Sequence, residues 1–117
     1  MFSLFKKKTI VPHVRLTGVI GNAGRFSKGM DLAGQREILK KAFSIKKVKY
    51  VAITINSPGG SPVQSHLIYS YIRQLADNKK VKVIIFAEDV AASGGYLISC
   101  AGDEIYANSS SIIGSIG

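Results

Sequence analysis

The sequence predicts an α/β fold built on a mainly parallel β-sheet. Short apolar segments typical of strands alternate with longer segments whose apolar residues recur at helical spacing. The 117 residues are 46% hydrophobic and 20% charged, which supplies a core for one domain and excludes global disorder. Glycine-rich breaks follow two of the buried strands. Because strands that alternate with helices are joined by right-handed crossovers, neighbouring strands are expected to run parallel.

The first two predicted elements are a half-buried strand and an amphipathic helix. Residues 13–20 place apolar side chains on one face, as a strand with one buried side does. A glycine-containing break at residues 21–24 ends this strand. Residues 32–43 place apolar side chains at helical spacing, and Lys40 and Lys41 stand at the C-terminal end, where the helix dipole favours cations.

The middle of the chain predicts a central strand and a long helix. Residues 48–55 become more apolar as they proceed, which suits the interior of a parallel sheet. After a break at residues 56–60, Ser61 is the expected helix N-cap, with Pro62 at the first helical position and Gln64 completing a capping box. The apolar stripe of this helix, residues 62–78, comprises Val63, Leu67, Ile68, Tyr71, Ile72 and Leu75.

The last third of the chain predicts a strand, a short helix and two short strands. Residues 81–87 form a buried strand, residues 96–101 an apolar helix, and residues 104–107 and 111–113 the final strands. The predicted order is therefore β-α-β-α-β-α-β-β. Cys100 lies in an apolar stretch and is expected to be buried. As a single cysteine it excludes an internal disulfide.

The chain is strongly basic, with a formal net charge of +9. The lysines cluster at the ends of the predicted elements, which favours a solvated surface, although attraction to anionic lipid is an alternative. Residues 1–8 combine short apolar and basic runs and could contact a membrane peripherally. Nucleic-acid binding is not expected, because arginine lies beside aromatic residues only around Arg25 and Arg73. No segment reaches the roughly 18 apolar residues that span a bilayer, and the N-terminus lacks the order of a signal peptide.

Two glycine-rich loops mark the candidate functional site. Residues 56–60 and 91–95 each join the carboxyl end of a buried strand to a helix, and in a parallel sheet such ends gather at one edge. Paired glycines allow the backbone to approach a substrate closely. The amides of Gly59, Gly60 and Gly94 could therefore act on one oxygen as an oxyanion hole. A phosphate cradle is less consistent, since neither loop continues into a phosphate-binding motif.

Ser93, inside the second loop, is the candidate nucleophile, although it could equally be a simple N-cap of the short helix. The loop differs from the G-x-S-x-G elbow of α/β hydrolases because Ala91 replaces the first glycine. A nucleophilic serine needs a base. His13 and His66 lie away from the loops, and every lysine stands in a hydrophilic context, so no base can be named. No residues have metal-ligand spacing, and no cofactor is expected.

Four motifs together resemble the S49 serine peptidases, the signal peptide peptidase A or protease IV family of the ClpP/crotonase superfamily. They are residues 55–62 (INSPGGSP), 89–96 (DVAASGGY), 101–107 (AGDEIYA) and 113–117 (IGSIG). The resemblance implies a ClpP-like α/β fold of stacked ββα units with a mainly parallel sheet, here incomplete at the C-terminus. It implies cleavage of remnant signal peptides or other membrane-associated peptides, with Ser93 as nucleophile and Gly59, Gly60 and Gly94 as the oxyanion-hole backbone. It also implies a homo-oligomer.

Two departures from the family pattern bear on these expectations. The family's Ser–Lys dyad takes its lysine from beyond the matching GSIG motif, and the family's N-terminal membrane anchor has no counterpart here. The chain is therefore expected to comprise a basic N-terminal segment, residues 1–12, and the nucleophile-bearing part of a peptidase domain, residues 13–117. The expected location is bacterial, membrane-associated or cytoplasmic. The alternatives are a crotonase-like acyl-CoA enzyme, and a catalytically inactive oligomerising fragment.

Overall fold

The structure is a computed structural model that describes residues 10–22, 29–108 and 111–114. The alternation of strands and helices follows the predicted order. The strands are β1 (His13–Thr17), β2 (Tyr50–Ser57), β3 (Lys82–Ala92), β4 (Glu104–Ala107) and β5 (Ile112–Gly114). The helices are α1 (Leu32–Phe43), α2 (Pro62–Lys79) and α3 (Gly94–Ser99). The N-terminal basic segment up to residue 9, the Arg25 region and the last three residues of the IGSIG motif lie outside the described residues.

All five strands pair in parallel in one sheet. β1, β2, β3 and β4 are neighbours in that order, and β5 also pairs with β3. β4 pairs with Ile84–Ala87 of β3, and β5 pairs with Val90–Ala92, so the two short strands occupy successive segments of one long strand. The strand register shifts between Ile55 and Ser57, where β2 approaches its glycine loop.

The core lies between the sheet and the helices. Val51, Ile53 and Ile55 of β2 and Val83 and Ile85 of β3 are fully or almost fully buried. From the helices, the largest buried contributions come from Leu39 and Phe43 of α1, Ile68 and Ile72 of α2, and Ile98 of α3. Strand residues on the other face of the sheet are more accessible, as the alternating burial of β1 shows. Burial on one face is what the alternating strand pattern predicts.

The N-terminus of α2 confirms one half of the predicted capping box. The Ser61 hydroxyl accepts a hydrogen bond from the Gln64 amide at 3.1 Å. The Gln64 side chain does not return to Ser61. Its Oε1 accepts instead from the Leu32 amide at 3.0 Å, while the Ser61 amide donates to the Ile20 carbonyl at 2.8 Å. Long-range contacts therefore replace the local reciprocal bond and tie α2 to the start of α1.

Two predictions of burial are wrong. Val63 and Leu67 are exposed, and the buried face of α2 consists instead of Ser65, Ile68, Ile72 and Ala76. The stripe is rotated because Ser65, a small residue, is what fits against α3. Cys100 is exposed, since it lies at the C-cap of α3, where the short helix ends and the chain turns toward β4.

Arg73 links α2 to the turn before β4. Its guanidinium donates to the Ala101 carbonyl at 2.9 Å and forms ion pairs with Asp77 and Asp103. Burial lowers the pKa of Arg73, but the hydrogen bonds and charges of the two carboxylates outweigh it and leave the pKa above its usual value. Asp103 in turn accepts from the Val83 amide at 2.7 Å, so this network fixes the start of β4 beside β3.

Candidate active site

Ser93 occupies a strained turn between β3 and α3. Its φ of 52° and ψ of −118° lie outside the regions that a residue with a Cβ normally adopts. Such a conformation costs on the order of 1–3 kcal/mol and persists only where the surrounding structure holds it. Here the Ser93 amide donates to the Gly114 carbonyl at 3.2 Å, and its carbonyl accepts from the Leu97 amide at 3.1 Å. Both backbone groups are thus fixed by β5 and α3.

The Ser93 side chain does not cap the helix that follows it. The residue stands at the N-cap position, yet its hydroxyl makes no capping hydrogen bond. Ser93 is also exposed, although Ala91 before it and Gly94 after it are buried. The simple N-cap role therefore does not account for this serine. A strained strand-to-helix turn that presents a free hydroxyl is the arrangement of a nucleophile elbow, reached here without the first glycine of that motif.

The first glycine loop lies directly against Ser93. A Cβ placed on Gly59 would stand 2.7 Å from the Ser93 Cβ and 2.9 Å from the Gly94 nitrogen, distances that real Cβ atoms essentially never show. Gly59 also has a φ of +106°, which disfavours any side chain. The loops that the sequence places on neighbouring strands are therefore brought into contact, and the absence of a side chain at Gly59 makes that contact possible.

The two glycines of the first loop have different roles. The Gly59 amide donates inward to the Ser57 hydroxyl at 3.1 Å, and its carbonyl accepts from the Ile20 amide at 2.9 Å. Gly60 pairs with Ile20 in an isolated bridge, but its own amide donates to no group in the described part of the chain. Of the three predicted oxyanion-hole residues, the geometry therefore favours Gly60 and Gly94 as donors and leaves Gly59 as the close-contact position.

Close packing against α2 and β2 requires glycine at positions 94 and 95, just after the Ser93 turn. A Cβ on Gly94 would lie 2.1 Å from the Ser65 Oγ, and one on Gly95 would lie 2.7 Å from the Ser57 carbonyl oxygen. Within the described ranges the Gly94 amide, like that of Gly60, has no acceptor. The paired glycines thus allow α3 to approach both α2 and β2.

A cleft of about 230 Å³ opens at this junction. It is lined by Gly60, Pro62, Ser65, Ser93, Gly94 and Leu97. The candidate nucleophile and the two glycines with free amides therefore border one space. Amides held by the fold beside a nucleophile can stabilise the negative charge that develops on a carbonyl oxygen during acyl transfer, at no cost of reorganisation.

The described residues supply no base for Ser93. His13 contacts the Thr54 hydroxyl on β2, and His66 is exposed on α2, with Ser70 as its hydrogen-bond partner. Neither histidine lines the cleft. Every lysine in the described ranges is exposed, and none borders the cleft. The described residues therefore bring the candidate nucleophile and the candidate oxyanion donors together without a proton acceptor among them.

Three supporting residues were not predicted from the sequence. Ser65 donates to the Ser61 carbonyl at 2.7 Å and packs under Gly94, Ser57 accepts from the Gly59 amide, and Ile20 bonds to the loop through its backbone. Ser65 had a detectable signal, because it is a polar residue at helical spacing from Ile68 and Ile72. The other two contacts depend on tertiary approach, which no local pattern indicates.

Comparisons with known proteins match the chain to peptidases over most of its length. Residues 75–117 match the model of peptidase family S49. Over 94% of the chain, 39% of residues are identical to Protease 4 of Haemophilus influenzae. A Brucella melitensis protein named Na(+)/H(+) antiporter NhaA is 56% identical over 94% of the chain. The chain spans only 17% and 15% of the lengths of these two relatives.

In the described residues, no helix combines the length and apolar character needed to cross a membrane.

Two solved structures share the fold. A serine-to-alanine variant of the 1510-N membrane-bound stomatin-specific protease superposes with a TM-score of 0.62 at 21% identity, covering 87% of this chain and 45% of that one. A variant of ClpP1 from Listeria monocytogenes superposes with a TM-score of 0.53 at 22% identity, covering 77% of this chain and 46% of that one. The predicted ClpP-like α/β fold is thereby confirmed.

Proposed function

The chain belongs to peptidase family S49, and from that premise we propose that residues 13–117 form the nucleophile-bearing part of a serine endopeptidase domain. Ser93 is the proposed nucleophile, and the amides of Gly60 and Gly94 are the proposed oxyanion donors. The observation that carries the proposal is the strained φ of Ser93, whose free hydroxyl borders the same cleft as those two glycines. Strain of this kind, held by bonds on both sides, supports a functional role for the residue.

The proposed reaction is acyl transfer. The Ser93 Oγ attacks the scissile carbonyl carbon, the carbonyl oxygen takes up negative charge, and the two glycine amides donate to it. Collapse of this intermediate breaks the peptide C–N bond, leaves the acyl group on Ser93 and releases a protonated amine. Water then hydrolyses the ester and regenerates the hydroxyl. In the family's Ser–Lys dyad a neutral lysine accepts the Ser93 proton and passes it to the leaving amine.

The base is proposed to come from outside the described residues. Each lysine within them is exposed, whereas a lysine serving as a base needs burial to lower its pKa toward neutrality. A further part of the same polypeptide, or a neighbouring copy in a homo-oligomer, would supply it. Peptides of the remnant-signal or membrane-associated class are the proposed substrates, as the family resemblance implies.

Peptide hydrolysis by the complete protein that carries this sequence tests the assignment. Ser93→Ala should reduce kcat by several orders of magnitude with little change in unfolding midpoint, because only the attacking atom is lost. Ser70→Ala is the matched control, since Ser70 lies on α2 and does not line the cleft. Retained cleavage by Ser93→Ala would overturn the proposal.

A crotonase-like acyl-CoA enzyme would use the same pair of amides but would need no serine. The strained, exposed hydroxyl of Ser93 favours the peptidase over that alternative. Acyl-CoA binding by a protein whose Ser93 does not react with a fluorophosphonate would reverse this preference.

A further inference from the structure

The topology gathers the lysines of the described fold at one edge of the sheet. In a parallel α/β arrangement, strand beginnings and the C-terminal ends of the connecting helices lie together, opposite the carboxyl edge that carries Ser93. We define this lysine edge by eight residues at those positions. They are Lys40–Lys41, Lys46–Lys47, Lys49, Lys79–Lys80 and Lys82.

Backbone contacts confirm that these segments are neighbours. The Lys82 amide donates to the Lys49 carbonyl at 3.0 Å, and Tyr50 is paired with Lys82 in the register of β2 and β3. The Ala52 amide donates to the Pro12 carbonyl at 2.9 Å, which brings the start of β1 to the same edge. Lysines from α1, from the segment before β2, from the end of α2 and from the start of β3 therefore share one surface.

The charge of the lysine edge is not neutralised locally. All eight lysines are exposed, and none forms an ion pair with another described residue. The described acidic residues near this edge are fewer than its lysines. Asp77 and Asp103 bind Arg73, and Glu104 accepts from the Tyr106 hydroxyl at 2.6 Å. Glu37, exposed on α1 one turn before Lys41, forms no ion pair with a described lysine. The edge thus presents a concentrated positive field to solvent.

Exposed apolar side chains border the same edge. Ile10 is 59% exposed and Val11 45% exposed just before β1. Ile45 and Tyr50, which flank the lysines at positions 46, 47 and 49, are also accessible. Lysine combined with exposed aliphatic side chains suits a lipid headgroup layer, which attracts the charge and accepts the apolar groups. A nucleic-acid surface would favour arginine and stacked aromatic platforms. Every basic residue that defines this edge is a lysine, and Tyr50 is the exposed aromatic residue described beside them.

We infer that the lysine edge is a docking surface for an anionic lipid bilayer. The inference does not depend on the peptidase assignment. Ser93 follows the last residue of β3, whereas Lys82 begins it, so docking by this edge would hold the cleft about 35 Å from the lipid, at 3.3 Å per residue along the strand.

Co-sedimentation of the 117-residue chain with phosphatidylglycerol–phosphatidylcholine vesicles tests the inference, with pure phosphatidylcholine vesicles as the neutral reference. Binding is expected only to the anionic vesicles, and it should weaken steeply as salt is raised. The triple substitution Lys41→Gln, Lys49→Gln and Lys82→Gln should weaken binding by about fivefold per lysine, or roughly a hundredfold in all. The three positions avoid Lys47 and Lys80, whose positive φ values make them structural.

The matched control removes the same charge elsewhere, by substituting Gln for Lys6, Lys7 and Lys8. If that control loses binding and the lysine-edge triple does not, the inference is wrong and the N-terminal segment alone binds lipid. Equal binding to neutral vesicles would also overturn it, as would tighter binding to a single-stranded oligonucleotide than to anionic vesicles at the same salt. Unchanged circular dichroism and unfolding midpoint in the triple variant establish that any loss reflects charge.

Discussion

At the scale of single residues, Ser93 is set apart from the other serines by its backbone. Lys80 also has a positive φ, but its φ of 57° and ψ of 46° belong to the ordinary left-handed region that often ends helices. Ser93 combines a similar φ with a ψ of −118°, which no capping role requires. Its hydroxyl makes no capping hydrogen bond, while its backbone is held by Gly114 and Leu97.

Substituting Gly59 by Ala tests how closely the first loop must approach Ser93. Gly18→Ala is the matched control, because Gly18 has a similar φ of +97° and a Cβ there meets nothing within 4 Å. Both variants should lose about 1 kcal/mol of unfolding free energy from backbone strain. Gly59→Ala should lose about 1–3 kcal/mol more, because its methyl group would collide with Ser93 and Gly94. Urea denaturation of the chain measures the difference.

Equal losses in the two variants would contradict this account of the loop contact. The comparison is informative because the strain from positive φ is common to both positions, and only the steric contact differs between them.

At the scale of elements, the site depends on how α2 and α3 pack. Ser65 lies on the buried face of α2, bonded to the Ser61 carbonyl and in contact with Gly94. The small side chain of Ser65 on α2 and the absence of a side chain at Gly94 on α3 let the turn that carries Ser93 lie close to the N-terminus of α2. The same junction forms the cleft, so its width is set by Ser65 as well as by the two glycine loops.

Substitutions at Ser65 separate packing from hydrogen bonding. Ser65→Ala removes the bond to Ser61 and should cost about 1 kcal/mol of stability. Ser65→Val adds bulk against Gly94 and should cost about 1–3 kcal/mol beyond that. In the complete protein it should also slow modification of Ser93 by a fluorophosphonate at least tenfold relative to Ser65→Ala. Identical rates for the two variants would contradict a positioning role for this helix contact.

The sequence predicted the elements well but predicted the contacts between them less well. Hydrophobic periodicity located all three helices and five strands, but β3 runs to Ala92, beyond its predicted end at residue 87, and α3 begins at Gly94 rather than at residue 96. The motif at residues 56–62 correctly predicted a break followed by a capped helix. The rotation of α2 exposes Val63 and buries Ser65. Helical spacing placed Ser65 on the face of Ile68 and Ile72, but its contact with Gly94 could not be predicted, because Gly94 comes from a distant part of the chain. For the same reason, Gly59 and Gly60 looked equivalent in sequence, although the Gly59 amide donates to Ser57 and the Gly60 amide has no acceptor among the described residues.

At the scale of the whole molecule, the two ends of the sheet carry different properties. The carboxyl edge holds the cleft and Ser93, and the opposite edge holds eight exposed lysines that form no ion pair with another described residue. The described residues contain the nucleophile and oxyanion donors of the proposed reaction but no buried lysine. The proposed activity therefore requires a base supplied from outside the described residues.

The most direct measurement of the central claim is the site of covalent modification in that complete protein. After treatment with a fluorophosphonate, peptide mass spectrometry should find the adduct on Ser93 alone, and Ser93→Ala should abolish it while Ser70→Ala leaves its rate unchanged. An adduct on another serine, or peptide hydrolysis by a protein whose Ser93 stays unmodified, would contradict the assignment of Ser93 as the nucleophile.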